Sequence, residues 1–130
     1  MENIHHCLFV IYAADQEKST RFYADLLKMK PSLNVPGMTE FTLSTTCKIG
    51  IMPEAGISKI LLPHTKNPSE GNGIPRCEIY LTIDDADGWF VHALQCGAVE
   101  ISKPINRDWG HRVGYVQDAD GHIIALAQIL

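Results

Sequence analysis

Strand, helix and then three strands occur twice along this chain, a repeat of element order rather than of residues, and that repetition restricts the fold more than any single motif. From His6 to Tyr12 the chain is continuously apolar and β-prone, the pattern of a strand covered on both faces. Asp15 offers an N-cap, and Phe22, Tyr23, Leu26 and Leu27 recur at helical spacing until Lys30-Pro31 ends the helix. Ser32 to Val35, Thr39 to Leu43 and Lys48 to Met52 read as short strands, separated by Pro36-Gly37 and Ser44-Thr45-Thr46. Pro53-Glu54-Ala55-Gly56 then closes the unit.

The stretch from Pro63 to Pro75 is rich in Pro, Asn, Ser and Gly without apolar periodicity, so residues 63–76 are expected to link a first module, 1–62, to a second, 77–130. There the order begins again. Glu78 to Ile83 is a strand, Asp84 or Asp85 caps a helix, and Ala86, Trp89, Phe90, Ala93 and Leu94 form a stripe that Gly97 stops. Val99 to Ile101, Arg112 to Val116 and Ile123 to Ile129 supply three more strands. The last two flank Asp118-Ala119-Asp120-Gly121, where the acidic side chains can bond their own backbone and Gly121 can take a positive φ, so a β-hairpin is expected. A sheet with a helix on one face must bury its other apolar face against a second sheet or a ligand. The class is therefore α+β, two βαβββ modules; a ferredoxin-like duplication is the alternative architecture.

Composition narrows the partners. The 130 residues are 45% hydrophobic and 20% charged, with a formal net charge of -4, enough for one ordinary domain with a real core. A mildly acidic chain without a basic cluster has no electrostatic footprint for nucleic acid or an anionic membrane, which leaves small molecules or proteins. No apolar run approaches the roughly 20 residues of a spanning helix. Met1-Glu2-Asn3-Ile4-His5-His6 lacks a signal pattern, and a cytoplasmic location is expected. Cys7, Cys47, Cys77 and Cys96 are well separated, which disfavours a zinc cluster or redox dithiol and makes buried free thiols the default.

Strand alternation then assigns faces. If Cys7, Phe9 and Ile11 pack under the first helix, His6, Leu8, Val10 and Tyr12 point the other way. In the second module Ile79, Leu81 and Ile83 go under the helix and Glu78, Tyr80 and Thr82 are left on the open face, the more polar set, as expected where ligand or water is met.

The segment Asp118-Ala119-Asp120-Gly121-His122-Ile123-Ile124-Ala125-Leu126 resembles the C-terminal signature of the vicinal oxygen chelate superfamily, which includes glyoxalases, extradiol dioxygenases and bleomycin-resistance proteins. The usual ending is Asp-Pro-Asp-Gly-Asn-x-Ile-Glu-Leu. The resemblance implies paired βαβββ modules forming a curved mixed sheet, a half-barrel cleft with helices on its outer face, often completed by exchange between two subunits. It also implies one divalent ion (Zn, Ni, Mn or Fe) held by an inward side chain from each of four strands, polarising substrate oxygens or activating dioxygen. In this chain the first slot falls on Leu8, or on His6 if Ala13-Ala14 is an insertion; the second half's slot falls on Glu78, and the usual glutamate position is Ala125, which by the same resemblance puts Ile123, Ala125 and Ala127 inward, where two alanines would leave space for a small molecule. Ile49-Gly50-Ile51-Met52 offers no carboxylate or imidazole. A catalytic site needs about three protein ligands, so no cofactor is the leading expectation and a metal held by His6 and Glu78 the alternative.

Trp109-Gly110-His111-Arg112 resembles the corresponding segment of metal-free bleomycin-resistance proteins. Trp109 could stack on a flat ligand and Arg112 could grip a carboxylate or phosphate, or Trp109 could plug a sheet edge while Arg112 pairs with an acidic neighbour. Glu78 is a candidate general base or counter-ion for a cationic ligand, or a rim residue paired with Arg76 or Arg112. Glu40 is a ligand contact or a solvated strand charge. Tyr12, Met38, Met52, Tyr80 and Tyr115 are candidates for an adaptable pocket wall, with ordinary core packing as the competing role. His122 is read as a turn residue. The expected function is binding of a small organic molecule by a glyoxalase-like homodimer without the usual metal. A metal-dependent lyase, isomerase or dioxygenase is the alternative.

Overall fold

A computed structural model describes residues 4–130. Met1, Glu2 and Asn3, part of the N-terminal stretch examined above for a signal pattern, lie outside the described residues. The chain forms two compact units that divide between Gly71 and Asn72, within the segment expected to be a linker. Each unit is a four-stranded mixed sheet with an α-helix crossing between its first two strands in the chain, so the fold is α+β and the βαβββ order appears twice.

In the first unit, β1 (Cys7–Ala13) leads into α1 (Gln16–Leu27), followed by β2 (Leu33–Val35), β3 (Met38–Thr42) and β4 (Cys47–Pro53). The order across the sheet is β1-β4-β3-β2, with β1 parallel to β4 and the other pairs antiparallel. The Asp15 side chain accepts from the Lys18 backbone N–H, satisfying a donor that the first helical turn would leave orphaned, and Lys28 ends the helix in the left-handed region at φ 56°. Ile11, Tyr23, Leu26, Phe41, Ile49 and Ile51 are buried between helix and sheet. Phe9 and Cys7 share the Ile11 face by alternation yet stay exposed, and with Cys77 also exposed and Cys47 and Cys96 half-buried, the four thiols are free but not buried as expected. The buried Thr39 hydroxyl is not left unsatisfied: it lies 2.9 Å from Thr20 Oγ1 and accepts from Gln16 Nε2 at 3.0 Å.

The structure departs from the sequence expectation after β4. Pro53-Glu54-Ala55-Gly56 is not a closing turn but the start of a helix, α2 (Glu54–Leu61), with Pro53 at its N-cap and Ile57 as its buried residue. Proline is tolerated there because the first N–H groups of a helix have no intrahelical partner anyway. A single 3-10 turn, Pro68–Gly71, follows. Among the described residues no helix is long and apolar enough to cross a membrane.

The second unit contains β5 (Glu78–Thr82), α3 (Ala86–Gln95), β6 (Val99–Asn106), β7 (His111–Gln117) and β8 (Ile123–Ile129), in sheet order β5-β8-β7-β6. Asp85 is the cap, accepting from the Gly88 N–H at 3.0 Å. Ala86, Phe90 and Ala93 bury the helix stripe against the sheet. Close packing explains Gly114 on β7: a Cβ there would lie 2.8 Å from both the Phe90 ring and the Pro104 ring. β6 runs five residues past its expected end at Ile101, because register shifts between Glu100 and Ser102 and between Ser102 and Ile105 let the strand bend and keep pairing with β7. The hairpin joining β7 to β8 is built as its sequence demands. Asp118 Oδ1 accepts from the N–H groups of Asp120 and His122, and Gly121 sits at φ +89°, where a side chain would run into the Gly73 backbone.

Candidate functional site

The face of the second sheet turned away from α3 carries the chemistry. Residues directly paired across strands share a face, so the register defines its rows. Glu78 pairs with Ile123, which pairs with Gln117; Tyr80 pairs with Ala125, then Tyr115, then Ser102; Thr82 pairs with Ala127, then Val113, then Ile105. Val113, Ala125 and Ala127 are fully buried, with Tyr115 packed against them. Two alanines keep this floor low, and the long polar side chains of its neighbours rise above it.

Three of these side chains form a hydrogen-bonded chain. The Trp109 Nε1–H donates to the Tyr80 hydroxyl at 2.9 Å, and the same oxygen lies 2.6 Å from His111 Nδ1. An indole can only donate, so the Tyr80 oxygen accepts from it. Toward His111 it either gives its own proton or receives the Nδ1 proton, according to the tautomer. Trp109 remains 54% exposed, held at the edge of the sheet rather than buried as a plug.

On the same sheet face lies an open hollow of about 490 Å³, lined by Pro75, Cys77, Glu78, Ile101, Ser102, Arg107, Tyr115 and Ile123. Arg107 leaves the β6–β7 turn and folds back over the sheet. Its Nε and Nη2 donate to the Val113 carbonyl at 3.3 and 2.9 Å, Nη2 also reaches Ser102 Oγ at 3.0 Å, and the guanidinium lies 5.2 Å from the Tyr115 ring centroid. Burial pushes the Tyr115 hydroxyl above the ordinary tyrosine pKa, Glu78 and Tyr80 add to that shift, and the Arg107 charge opposes it. Glu78 and Arg107 thus act with opposite sign on the Tyr115 hydroxyl in one hollow.

The structure brings Glu78, Tyr80, Tyr115 and Ala125 to this face and Trp109 to its edge, as alternation and the hairpin imply. It does not bring Arg112 there. Arg112 lies one residue out of phase with His111 and Val113, and its guanidinium makes a two-point pair with Asp87 of α3, at 2.9 and 3.0 Å. That pair holds the Asp87 carboxyl below its ordinary range and the guanidinium above its own. The pairing with an acidic neighbour is what the structure realises. Arg107, His111 and Ser102 were not singled out by the sequence. His111 has the parity of Tyr115 and was readable on that ground, whereas Arg107 sits in a turn, which has no parity.

Tyr12, Met38, Glu40 and Met52 belong to the first unit and share the face of its sheet opposite α1, together with Leu8 and Val10. Glu40 is ion-paired with Lys48 at 3.4 Å. Met38, Leu8 and Val10 close over Gly50, each within 3.4 Å of where a Cβ would sit. His6 precedes β1 and is exposed. Of the positions that the vicinal oxygen chelate pattern assigns to metal ligands, Leu8 and Ala125 carry no donor atom, the stretch Ile49-Gly50-Ile51-Met52 offers no carboxylate or imidazole, and donors remain only at Glu78 and, if the first slot falls there instead, at exposed His6. This donor set does not fit the family's metal site. Among the described residues, Asp118, Asp120 and His122 bring ligand-type atoms within 4.8 Å of one another, but they form the hairpin turn, where Asp118 is committed to backbone N–H groups.

Two βαβββ modules, each with a helix on one face and side chains rising from the other, define a glyoxalase-type architecture. The chain belongs to the Glyoxalase/Bleomycin resistance protein/Dioxygenase superfamily, whose family model matches residues 3–126. Its fold is similar to that of a hypothetical protein from S. aureus, with a TM-score of 0.79 at 19% identity over 98% of this chain and 95% of that one. A glyoxalase-related enzyme from Fulvimarina pelagi gives a TM-score of 0.80 at 15% identity, over 98% of this chain and 88% of that one. An uncharacterized protein of Mycobacterium bovis is 38% identical over 61 residues; the match spans 47% of this chain and 40% of that protein, less than half its length.

Proposed function

We propose that this protein binds a small organic molecule on the open face of its second module without the superfamily's usual metal ion, acting as a cytoplasmic homodimer. One observation carries the reading: the hollow of about 490 Å³ is bounded by Glu78 and Tyr115, while the neighbouring ligand slot is a fully buried alanine, Ala125. Glu78 supplies negative charge for a cationic group, Ile101 and Ile123 give apolar contact, and the hydrogen-bonded Tyr80 and Trp109 are the aromatic groups on which a flat ligand extending beyond the hollow would stack. Exposed apolar side chains such as Phe9 and Ile129 offer surface for self-association.

The test has two arms. Protein purified without a nickel-affinity tag is assayed for metal content and titrated with zinc, nickel, manganese and iron(II). Benzylamine is then titrated in with and without chelator, followed by NMR. Saturable benzylamine binding that ignores chelator and weakens in Glu78→Gln supports the proposal. A stoichiometric, tightly held ion that Glu78→Gln releases overturns it in favour of metal-dependent lyase, isomerase or dioxygenase chemistry.

A further inference from the structure

Arg107 holds a positive charge in the hollow that nothing in its own unit neutralises. A guanidinium has five N–H donors. Three are spent: Nε and one Nη2 proton on the Val113 carbonyl, and the second Nη2 proton between Ser102 Oγ and the Lys103 carbonyl, at 3.0 and 3.4 Å. Every one of those acceptors is neutral. Among the described residues no carboxylate stands within ion-pair distance of Arg107, whereas Lys48 is paired with Glu40 and Arg112 with Asp87. Both Nη1 protons, and the whole charge, remain for something else.

The residue is also unusually well fixed for a long side chain in a turn. Its planar fork is bonded along one edge and lies against the Tyr115 ring, so the rotamer freedom that an arginine normally loses on binding is already spent in the fold. Its setting is half-buried, with Ile101, Ile123 and Pro75 on the other walls of the hollow, where a charge-assisted bond is worth more than in water. Glu78, the other charged wall residue, is not bonded to it.

We infer that Arg107 is an oxyanion-binding residue, and that the ligand of this hollow carries a carboxylate or phosphate group on an apolar body, seated on the Nη1 edge. The inference rests on the metal-free binding reading and adds to it. A ligand whose cationic group meets Glu78 presents an oxyanion to Arg107, which makes it zwitterionic. The role resembles the one expected of Arg112 from sequence, moved to the arginine that the fold delivers to the hollow.

Benzoate and phenyl phosphate serve as probes of the two oxyanion sources, with benzylamine as the cationic control, each titrated against 15N-labelled protein. One or both anions should shift the Arg107 Nε–H resonance saturably, and the one that binds more tightly identifies the source. Arg107→Lys keeps the charge but loses the anchored fork, and should weaken that anion by about tenfold or more, the loss of one charge-assisted bond. The Nε–H readout in the unaltered protein needs no variant, so a variant that fails to fold does not remove the test. Anion binding that leaves the Arg107 resonance still, or that Arg107→Lys retains at full strength, overturns the inference. Benzylamine binding without anion binding overturns it while the metal-free reading survives, and failure of all three probes sinks both.

Discussion

The Trp109 indole donates its only proton to the Tyr80 hydroxyl, and that bond fastens the turn leaving β6 to the far side of the sheet, on β5. Tyr80→Phe removes the acceptor and the contact to His111 in one step. Because the groups are exposed, the expected stability loss is small, about 0.5–1 kcal/mol. The sharper readout is the Trp109 Nε1–H signal, which should move upfield and exchange faster with solvent. An unchanged signal would mean that water serves the indole equally well.

Tyr115 reports on the charges around it. Its hydroxyl titrates above the ordinary tyrosine range, so the folded state holds a proton that the unfolded chain has already lost. Stability should therefore fall as pH rises from the usual tyrosine pKa through the raised folded value, and be untouched by this group below that window. Absorbance titration of tyrosinate, compared between the protein and Tyr115→Phe, locates the transition. Glu78→Gln should lower it by removing repulsion, and Arg107→Gln should raise it by removing attraction. Shifts of the opposite sign would contradict the arrangement of the hollow.

Asp87 gives the complementary dependence at the acid end. Its carboxyl is held low first by the hydrogen bond from Arg112, and more weakly by that residue's charge. A depressed folded pKa contributes stability above the unfolded aspartate value that is lost as pH falls through the folded one. Carboxyl NMR should show Asp87 titrating below the ordinary aspartate range, and Arg112→Gln should return it there. Ligand binding in the hollow should be indifferent to this substitution, since Arg112 lies on the helix side of the sheet.

Gly114→Ala should cost about 1–3 kcal/mol, the usual penalty for an extra methyl in a packed core. The added carbon would meet the Phe90 and Pro104 rings, neither of which is the free end of a flexible chain. Chemical denaturation measures the loss directly. Gly37→Ala is a useful contrast: nothing stands within 4 Å of its Cβ position, so any cost there comes from its φ of +93° alone.

Both strand-helix-strand-strand-strand units were legible because apolar alternation and helical spacing are local signals, strong in β5 and α3. The α2 helix was not: its first residues, Glu54-Ala55-Gly56 after Pro53, carry turn chemistry, and with Ile57 its one buried residue there is little amphipathic stripe to see. The tail of β6 was hidden by its bulges, which break the period that marks a strand. At the site, parity found Glu78 and Tyr80 on one face, and the family resemblance put Ala125 with them. The same parity, applied from Tyr115 back to His111, sends Arg112 to the helix side, where it takes the second of the two roles its sequence offered, pairing with an acidic neighbour, Asp87. Arg107 had no local signature, since its role comes from two carbonyls and a hydroxyl that only the folded turn assembles.

The Gly73–Gly121 contact has a consequence for how this protein tolerates change. One wall of the hollow, Pro75 and Cys77, precedes β5 and belongs to no strand, and just upstream Gly73 packs backbone to backbone against the turn at Gly121. The wall thus inherits its position from a spot where no side chain fits. Mutational scanning by ligand selection should find intolerance at 121, where a Cβ would meet the Gly73 backbone, and at 73, from its φ of +74°, two positions that never touch the ligand, alongside free variation at an exposed neighbour such as Ala119.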